Sequence, residues 1–362
     1  MGMWMIGLAG VVAQAVTAAA AEPVYAEVTS VEELLDAVAA LDPMAGGTIR
    51  VRPGTYRLDA PLDLSERRHV NLLGSGWNTT LAAPPNQDAL VLENSHFCVI
   101  EGFLIDQEQA AEDTDFDADI TDPRTGSGIH FRGVSSSNEV RRCRIQRFGE
   151  SGVRFSGRAD SPMSSNAVRD CHFISNAGFQ LWSRHNNDYY FIGNQFGSHG
   201  GVPRAGAVLD HSSAGTYSMN YHWGNEVAFI LGPGAHYNRI NTNRFEESRR
   251  EGIRIGGEAG DPPNVHNTFV GNTIHTNSQT NPDQYDAVTA RDASAIVFSN
   301  NQILSWDRDS TRHRRSLVVG PGCHSWVITG NIMRHHNEVG LVMDAPGVHV
   351  VSDNIIDEYN QP

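Results

Sequence analysis

The stretch "GNTIHTNSQTNPDQYDAVTARDASAIVFSNNQI", residues 271–303, contains the pattern that decides the fold. An asparagine, any residue and then an apolar residue occur at Asn272 and again at Asn301, and the short segment "AVTA" begins between them at residue 287. The asparagine pattern recurs along the chain, with its weakest match at position 220: Asn194, Asn220, Asn243, Asn272, Asn301, Asn331 and Asn354. Cysteine takes this position in two earlier copies, Cys143 and Cys171, and successive copies lie 23 to 30 residues apart.

Short apolar segments that open with a small residue alternate with these asparagine and cysteine positions. They begin at residues 128, 152, 178, 206, 228, 252, 287, 316 and 340. A period in the twenties, with β-type segments and no helical periodicity, indicates a β-solenoid in which each repeat forms one coil. Asparagine suits a sharp turn at a fixed point of each coil, because it tolerates left-handed backbone and can hydrogen-bond along a ladder. A sandwich would show clearer hairpin signals.

The 362-residue chain has a formal charge of −15 and contains no lysine. Such an acidic chain repels phosphate backbones, which argues against nucleic acid as a partner. The first 21 residues hold an apolar run followed by alanines, as in a signal peptide, although no Arg or Lys precedes the run. We therefore expect a secreted or periplasmic protein with a single domain over residues 22–362 and no later membrane span. A short membrane anchor or a buried N-terminal helix is the alternative reading of the first residues.

The segment "SVEELLDAVAAL", residues 30–41, predicts an amphipathic helix with a capping box from Ser30 to Glu33. It leads into "GGTIRVRPGTYRL" and "VNLLGSG". Together with the repeats, these segments resemble the right-handed parallel β-helix proteins of the pectate-lyase-like superfamily, over roughly residues 28–362. The resemblance implies an all-β solenoid, which we expect to have about ten coils, with the helix capping its open end. It does not decide the activity, because the superfamily contains lyases, hydrolases, transferases, epimerases and non-catalytic spikes.

In many enzymes of that superfamily the strand that opens each coil, with the loop before it, lines the substrate cleft. The long loops here are residues 107–127, 276–286 and 305–315. Aligning the strands by their small first residues predicts one outward row with His130, Arg154, Gln180 and Arg254, and a second with Arg132, Ser156, Trp182, Asp210 and Arg291. From these rows we predict the substrate-binding residues His130, Arg132, Arg154, Gln180, Trp182 and Arg291. Ion-paired surface arginines are the alternative explanation for the cations.

Glycosidic cleavage needs two carboxylates, about 5–5.5 Å apart for retention or 6.5–9.5 Å apart for inversion. Asp210, Glu226 and Glu251 come from three successive predicted coils and are our candidates, with His211 and Arg254 beside them in the catalytic set. The reading we favour is a polysaccharide-cleaving enzyme that uses carboxylate acid–base chemistry, as a hydrolase or an internal transferase. The coil order is also similar to that of the inulin fructotransferases.

Two alternatives stay open. A polysaccharide lyase would remove the proton beside a uronate carboxylate with arginine or histidine, with calcium or arginine neutralising that carboxylate. A non-catalytic surface protein would bind glycans through Trp182 and the arginines without turning them over. We expect a monomer or a homotrimer, the trimer being the form that a structural spike favours.

The acidic stretch "EDTDFDADITD", residues 112–122, is a possible cation site. Asp113, Asp115 and Asp117 have the first three spacings of an EF-hand loop, but Ala118 and Arg124 stand where that loop needs glycine and glutamate. The stretch is a hydrated loop, a calcium site or a contributor to catalysis. No cofactor is required by the chemistry above, and calcium is the one that this stretch would take.

Four cysteines without a C-x-x-C pair do not predict a structural zinc site. Cys143 and Cys171 occupy equivalent places in adjacent predicted coils, which puts them within disulfide range. They are therefore either a bridge or a pair of stacked, buried thiols.

Overall fold

The computed structural model describes residues 22–107, 125–199, 202–305 and 313–357. The expected signal peptide and the acidic stretch at residues 112–122 lie outside these ranges. Within them, no helix has both the length and the apolar character needed to cross a membrane.

In the described ranges the chain winds through three long parallel sheets, and each complete coil contributes one strand to each sheet. The first sheet has the strands Leu62–Asp63, Leu90–Glu93, Ser127–Gly133, Ser151–Gly157, Phe179–Arg184, Ala205–Asp210, Val227–Leu231, Ile253–Ile255, Val288–Ala290, Arg315–Val319 and Val339–Met343. The second sheet has Val24–Val28, Gly47–Val51, Val70–Leu73, Val99–Glu101, Glu139–Arg141, Ala167–Arg169, Tyr190–Ile192, Thr216–Ser218, Arg239–Asn241, Thr268–Val270, Val297–Ser299, Val327–Thr329 and Val350–Ser352. The third sheet has Gly54–Arg57, Thr79–Ala83, Leu104–Gln107, Arg144–Gln146, His172–Ile174, Gln195–Gly197, Tyr221–His222, Arg244–Glu246, Thr273–His275, Gln302–Leu304, Ile332–Met333 and Ile355–Ile356.

This arrangement is a right-handed parallel β-helix of about twelve coils, so the predicted fold class is confirmed and the predicted coil number was slightly low. Two short strand pairs join turns of neighbouring coils: Met163–Ser164 with Asn186–Asn187, and Asn264–Val265 with Ala293–Ser294. A 3-10 helix, Gly76–Asn78, precedes one strand of the third sheet.

The core is a column of inward-facing apolar side chains, because alternate residues of every strand point to the inside of the coil. Phe131, Phe155 and Phe191 stack through the centre, with ring centroids 4.8 and 5.5 Å apart, and all three are buried. A solenoid of this kind gains stability coil by coil, since each repeat buries its apolar face against its neighbours.

The predicted asparagine ladder runs between the second and third sheets. Oδ1 of Asn272 accepts hydrogen bonds from the backbone N–H and the Nδ2 of Asn243, and the same pair of bonds links Asn272 to Asn301. The series is continuous from Asn194 to Asn354, and each asparagine of the ladder is hydrogen-bonded to the ladder asparagine of the following coil. The ladder therefore satisfies the turn backbone inside the protein, where an unpaired polar group would be costly.

Cys171 and Cys143 continue the column of turn positions where the asparagines stop. The backbone N–H of Cys171 donates to Oδ1 of Asn194 at 3.0 Å, as an asparagine at that place would. Both cysteines, like Cys98 and Cys323, are buried and unbridged. The structure therefore supports a pair of stacked thiols at Cys143 and Cys171 and not a disulfide bridge. Burial raises the pKa of the Cys171 thiol well above its usual value.

The helix Val31–Ala39 closes the N-terminal end of the core and buries Leu34 and Val38 against it. Ser30 is the N-cap, and its Oγ accepts from the backbone N–H of Glu33 at 3.2 Å. The Glu33 carboxylate reaches back to the backbone N–H of Thr29 instead of Ser30, so the capping box is present but shifted by one residue.

Candidate functional site

The outer face of the first sheet carries a row of side chains that changes character along the solenoid. Backbone pairing places these residues side by side in consecutive coils: Val91, His130, Arg154, Trp182, Val208, Ile230, Arg254, Thr289, Val318 and Val342. Polar and aromatic groups are concentrated at His130, Arg154 and Trp182, whereas most later members are apolar. Three of the predicted binding residues therefore lie next to one another at one end of this face.

Gln180 does not belong to this row, and the predicted register was wrong there. Trp182 pairs with Arg154, which puts Gln180 opposite Gly152. The Gln180 side chain is buried, and its Oε1 accepts a hydrogen bond from Nδ2 of Asn176. Equating the glycine at position 178 with Gly152 displaces this strand by two residues, because the backbone pairs Gly152 with Gln180. Gln180 is thus a core residue, and Trp182 moves into the row of His130.

A surface cavity of about 250 Å³ lies beside Trp182. Cζ of Arg154 lies 4.5 Å from the centroid of the Trp182 ring, and the Glu150 carboxylate pairs with the same guanidinium. The cavity lining includes Arg154, Ser156, Trp182, Arg184 and His185. An aromatic ring can pack against the C–H groups of a sugar, and guanidinium groups donate to its oxygens. The cavity therefore has the composition of a sugar-binding subsite.

Asp210 and His211 lie at the edge of the first sheet next to this cavity. Oδ1 of Asp210 is 2.5 Å from Nδ1 of His211, and its Oδ2 is 3.4 Å from Nε of Arg184. The ring centroids of His211 and His185 are 4.9 Å apart. Burial, together with the positive charges of His211 and Arg184, lowers the pKa of His185. Asp210 is therefore engaged by an arginine and an imidazole.

Glu226 and Glu251 precede neighbouring strands of the first sheet and share one guanidinium. Nη1 of Arg250 lies 3.3 Å from Oε1 of Glu226, and Nε of Arg250 lies 3.5 Å from Oε2 of Glu251. Arg254 adds a second contact to Glu251, at 2.9 Å. The structure thus brings these two predicted carboxylates together, with the predicted Arg254 beside them.

Asp210 is separated from this pair. Glu226 comes just before a strand whose first residue pairs with Ala205, whereas Asp210 is the last residue of the strand that Ala205 begins. Six residues of extended chain span about 20 Å. A carboxylate pair for glycosidic cleavage needs a separation of roughly 5–9.5 Å. The structure therefore does not gather the three predicted carboxylates into one site.

His130 is held between two groups that the sequence did not associate with it. Its Nδ1 lies 3.1 Å from Oδ2 of Asp88, and its Nε2 lies 2.9 Å from Oγ of Ser156. Arg132, another predicted binding residue, donates from Nη2 to the same Asp88 oxygen at 2.9 Å. Asp88 stands 42 residues before His130, and no local motif marks it. Placing the preceding coil in register would have been the only signal for it.

The predicted long loop at residues 107–127 begins and ends next to Asp88. Nε2 of Gln107 donates to the backbone carbonyls of Gln87 and Thr125, and the N–H of Ser127 donates to Oδ1 of Asp88 at 2.7 Å. The interior of the loop, with Asp113, Asp115 and Asp117, lies outside the described residues, so calcium binding there stays a prediction.

The predicted binding residue Arg291 is exposed and lies just after the strand Val288–Ala290.

A family model described as "Periplasmic copper-binding protein (NosD)" matches residues 87–301, which is more than half of the chain. The chain belongs to the NosD family. No curated protein sequence matches this NosD-family chain. Among the described residues, no group of three or more His, Cys, Asp or Glu side chains is arranged to hold a metal ion. The described residues thus offer no cluster of these four ligand types for the copper named in the family description.

Solved structures of similar fold include a phage tailspike domain, an epimerase module and DFA-IIIase. The enzymatically active domain of tailspike protein 2 from bacteriophage CBA120 is 11% identical with a TM-score of 0.61, over 83% of this chain and 44% of that one. The A-module of an Azotobacter vinelandii mannuronan C-5 epimerase is 13% identical with a TM-score of 0.59, over 90% and 94%. DFA-IIIase from Arthrobacter chlorophenolicus is 12% identical with a TM-score of 0.56, over 90% and 86%. The NosD-family chain spans less than half the length of the tailspike domain, and identities this low show the fold alone.

Proposed function

We propose that the protein is an exported enzyme that binds a polysaccharide along the outer face of the first sheet and cleaves its glycosidic bonds with Glu226 and Glu251. The observation that carries the proposal is the pairing of these two carboxylates around Arg250 on the same face as the cavity beside Trp182. The tailspike structure, whose name refers to an enzymatically active domain, and the epimerase module, whose name refers to mannuronan, add support for an enzyme that acts on a polysaccharide. The periplasmic description of the family supports export.

The cavity and the carboxylate pair are spaced for an extended chain. The strand that holds Trp182 and the strand that Glu226 precedes are two coils apart, and adjacent strands of a sheet are about 4.8 Å apart. Trp182 also lies further along its strand than the position opposite Glu226, which adds about 13 Å in the perpendicular direction. A glycan held at Trp182 would therefore cross several sugar units before it reaches the carboxylates.

The surroundings of the two glutamates assign their roles. Glu251 is nearly buried, and two guanidinium groups hold its carboxylate in place. Glu226 is 39% exposed and contacts one guanidinium at 3.3 Å. We assign Glu251 as the nucleophile or base and Glu226 as the acid that protonates the leaving oxygen.

Incubation with a panel of polysaccharides, followed by product analysis, tests the proposal. New reducing ends indicate hydrolysis, a cyclic dianhydride indicates internal transfer, and an unsaturated uronate would replace our mechanism with elimination. Glu226→Gln and Glu251→Gln should each lower the rate at least about 100-fold. The matched control is Glu139→Gln on the second sheet, since Glu139 also pairs with two arginines but lies on another face. Full activity in both site variants would overturn the assignment.

A further inference from the structure

Three side chains at the polar end of the first sheet form a continuous hydrogen-bonded series. Oγ of Ser156 lies 2.9 Å from Nε2 of His130, and Nδ1 of the same ring lies 3.1 Å from Oδ2 of Asp88. A hydroxyl, an imidazole and a carboxylate in this order are the arrangement that activates serine for acyl transfer, and it is recognised by geometry and not by position in the sequence. Glycosidic cleavage by Glu226 and Glu251 makes no use of it.

The β-helix places these groups together from three coils. Asp88 comes just before the strand Leu90–Glu93, His130 lies on the next strand and Ser156 on the one after. The side chains of Asp88 and His130 are each 10% exposed, so both are held inside the protein surface. Ser156 is only half-buried and lines the cavity beside Trp182. The pair that would activate the serine is therefore buried, and the serine itself is accessible.

The charges around His130 favour the proton on Nδ1. The Asp88 carboxylate is fixed by the backbone N–H of Ser127 at 2.7 Å and by Nη2 of Arg132 at 2.9 Å. Burial raises the pKa of Asp88, but hydrogen bonds from His130 and Ser127 and the nearby positive charges outweigh it and hold that pKa below its ordinary value. Nε of Arg132 also lies 3.2 Å from Nδ1 and competes for it. An anionic carboxylate beside Nδ1 favours the N–H form, and this leaves Nε2 as the acceptor of the Ser156 proton.

We propose that Ser156, His130 and Asp88 form a second catalytic centre that hydrolyses O-acyl esters. The class of substrate, acyl groups on a polysaccharide, rests on the proposed function, because the same cavity would hold the sugar. Its volume of about 250 Å³ suits a short acyl group, such as acetyl, together with the edge of a sugar ring.

The reaction proceeds in two steps. Nε2 of His130 takes the Ser156 proton as Oγ bonds to the ester carbonyl carbon, and the tetrahedral oxyanion collapses by expelling the sugar oxygen, which receives that proton. Water then attacks the acyl-serine, gives a proton to His130, and releases the carboxylic acid as Ser156 recovers its proton. Arg154 and Arg184 line the cavity and supply the positive charge that stabilises the oxyanion. The net change is ester plus water to alcohol plus acid.

The test uses the full-length protein, with p-nitrophenyl acetate and an acetylated polysaccharide as substrates. We expect acetate release from both, and Ser156→Ala should lower kcat/KM for p-nitrophenyl acetate at least about 100-fold. A fluorophosphonate probe should label residue 156, as shown by peptide mapping, and His130→Gln should abolish the labelling. Asp88→Asn should lower kcat for p-nitrophenyl acetate with little change in KM, because the amide no longer fixes the His130 ring with Nε2 facing Ser156. The rate of probe labelling at Ser156 should fall with kcat, which a merely structural role for Asp88 would not predict.

The matched control is Ser218→Ala, which removes a serine hydroxyl from the second sheet. It should keep both esterase activity and labelling, and the melting temperatures of all variants should be measured alongside. Unchanged ester hydrolysis in Ser156→Ala, or labelling at another residue, would overturn the inference. New reducing ends without acetate release would refute this centre and leave the proposed function intact. Acetate release without any chain cleavage would support this centre and refute the proposed glycosidic cleavage.

Discussion

Oδ1 of Asn272 accepts two hydrogen bonds from Asn243, one from the backbone N–H at 2.9 Å and one from Nδ2 at 3.0 Å. Both residues are buried. Asn272→Ala leaves both donors of Asn243 unpaired, and we expect it to lower the free energy of unfolding by about 3 kcal/mol. Urea denaturation measures this loss. Asn337→Ala, at an exposed position, is the control and should change stability by less than about 0.5 kcal/mol. Equal effects in the two variants would contradict the role of the ladder.

The fold could be predicted because the ladder imposes a local requirement that repeats. Each coil needs a side chain that hydrogen-bonds the turn of the neighbouring coil. Asparagine at Asn272 and at the equivalent positions provides this bond, although the number of residues per coil varies. The replacement of asparagine by cysteine at Cys171 is also visible in the sequence. The hydrogen bond from the backbone N–H of Cys171 to Asn194 continues the series there without an asparagine side chain. These features depend on neighbouring coils only, so spacing reveals them.

The site was predicted less well, because side-chain register depends on where each loop takes up its extra residues. Gln180 was matched to the outward row, yet it fills an inward position that glycine leaves open at Gly152. Asp88 and His130 are hydrogen-bonded across 42 residues of sequence, and His130 and Ser156 across 26 residues. No local motif connects these three residues. Spacing could place Glu226 and Glu251 near each other, since each precedes one of two neighbouring strands by one or two residues, but their catalytic role stays a prediction.

Trp182 should matter for glycan binding because its ring lies in the wall of the cavity under Arg154. We expect Trp182→Ala to weaken binding of a polysaccharide selected from the panel by at least about tenfold, or ~1.4 kcal/mol. Affinity electrophoresis in that polysaccharide measures the change. Trp77→Ala is a matched control, because Trp77 also lies near an arginine, Arg144, but beside the third sheet. Comparable losses in both variants would move the binding surface away from the first sheet.

All four cysteines should behave as free, inaccessible thiols. Each is buried and unbridged, and burial raises the pKa of Cys98, Cys171 and Cys323, so these three form little reactive thiolate in the folded protein. Burial also opposes the thiolate of Cys143, but hydrogen bonds, chiefly from Cys171, lower its pKa, so Cys143 is protected because its side chain is fully enclosed. Ellman's reagent should titrate none of them in the native protein and all four after unfolding in urea, with or without prior reduction. A count of two that rises to four only after reduction would instead indicate a bridge between Cys143 and Cys171.

Stability should fall on mild acidification because two imidazoles are buried in neutral form. Burial lowers the pKa of His222 to about 3, and burial with neighbouring positive charge does the same for His313. Below the unfolded value of about 6.5, the unfolded chain binds protons that the folded chain does not, so the stability present at pH 7 is lost progressively as the pH falls towards 3. Between pH 7 and pH 5 each histidine should cost about 2 kcal/mol.

Substitution separates His222 from the other titrating groups. Nε2 of His222 lies 2.6 Å from the hydroxyl of Tyr217, and glutamine at this position can keep a polar partner for that hydroxyl. His222→Gln should therefore reduce the loss between pH 7 and pH 5 by about 2 kcal/mol, even if its stability at pH 7 is lower. Urea unfolding at the two pH values gives the difference, with His69→Gln at an exposed turn as the control. An unchanged pH dependence in His222→Gln would mean that this imidazole becomes protonated in the folded protein as readily as in the unfolded chain.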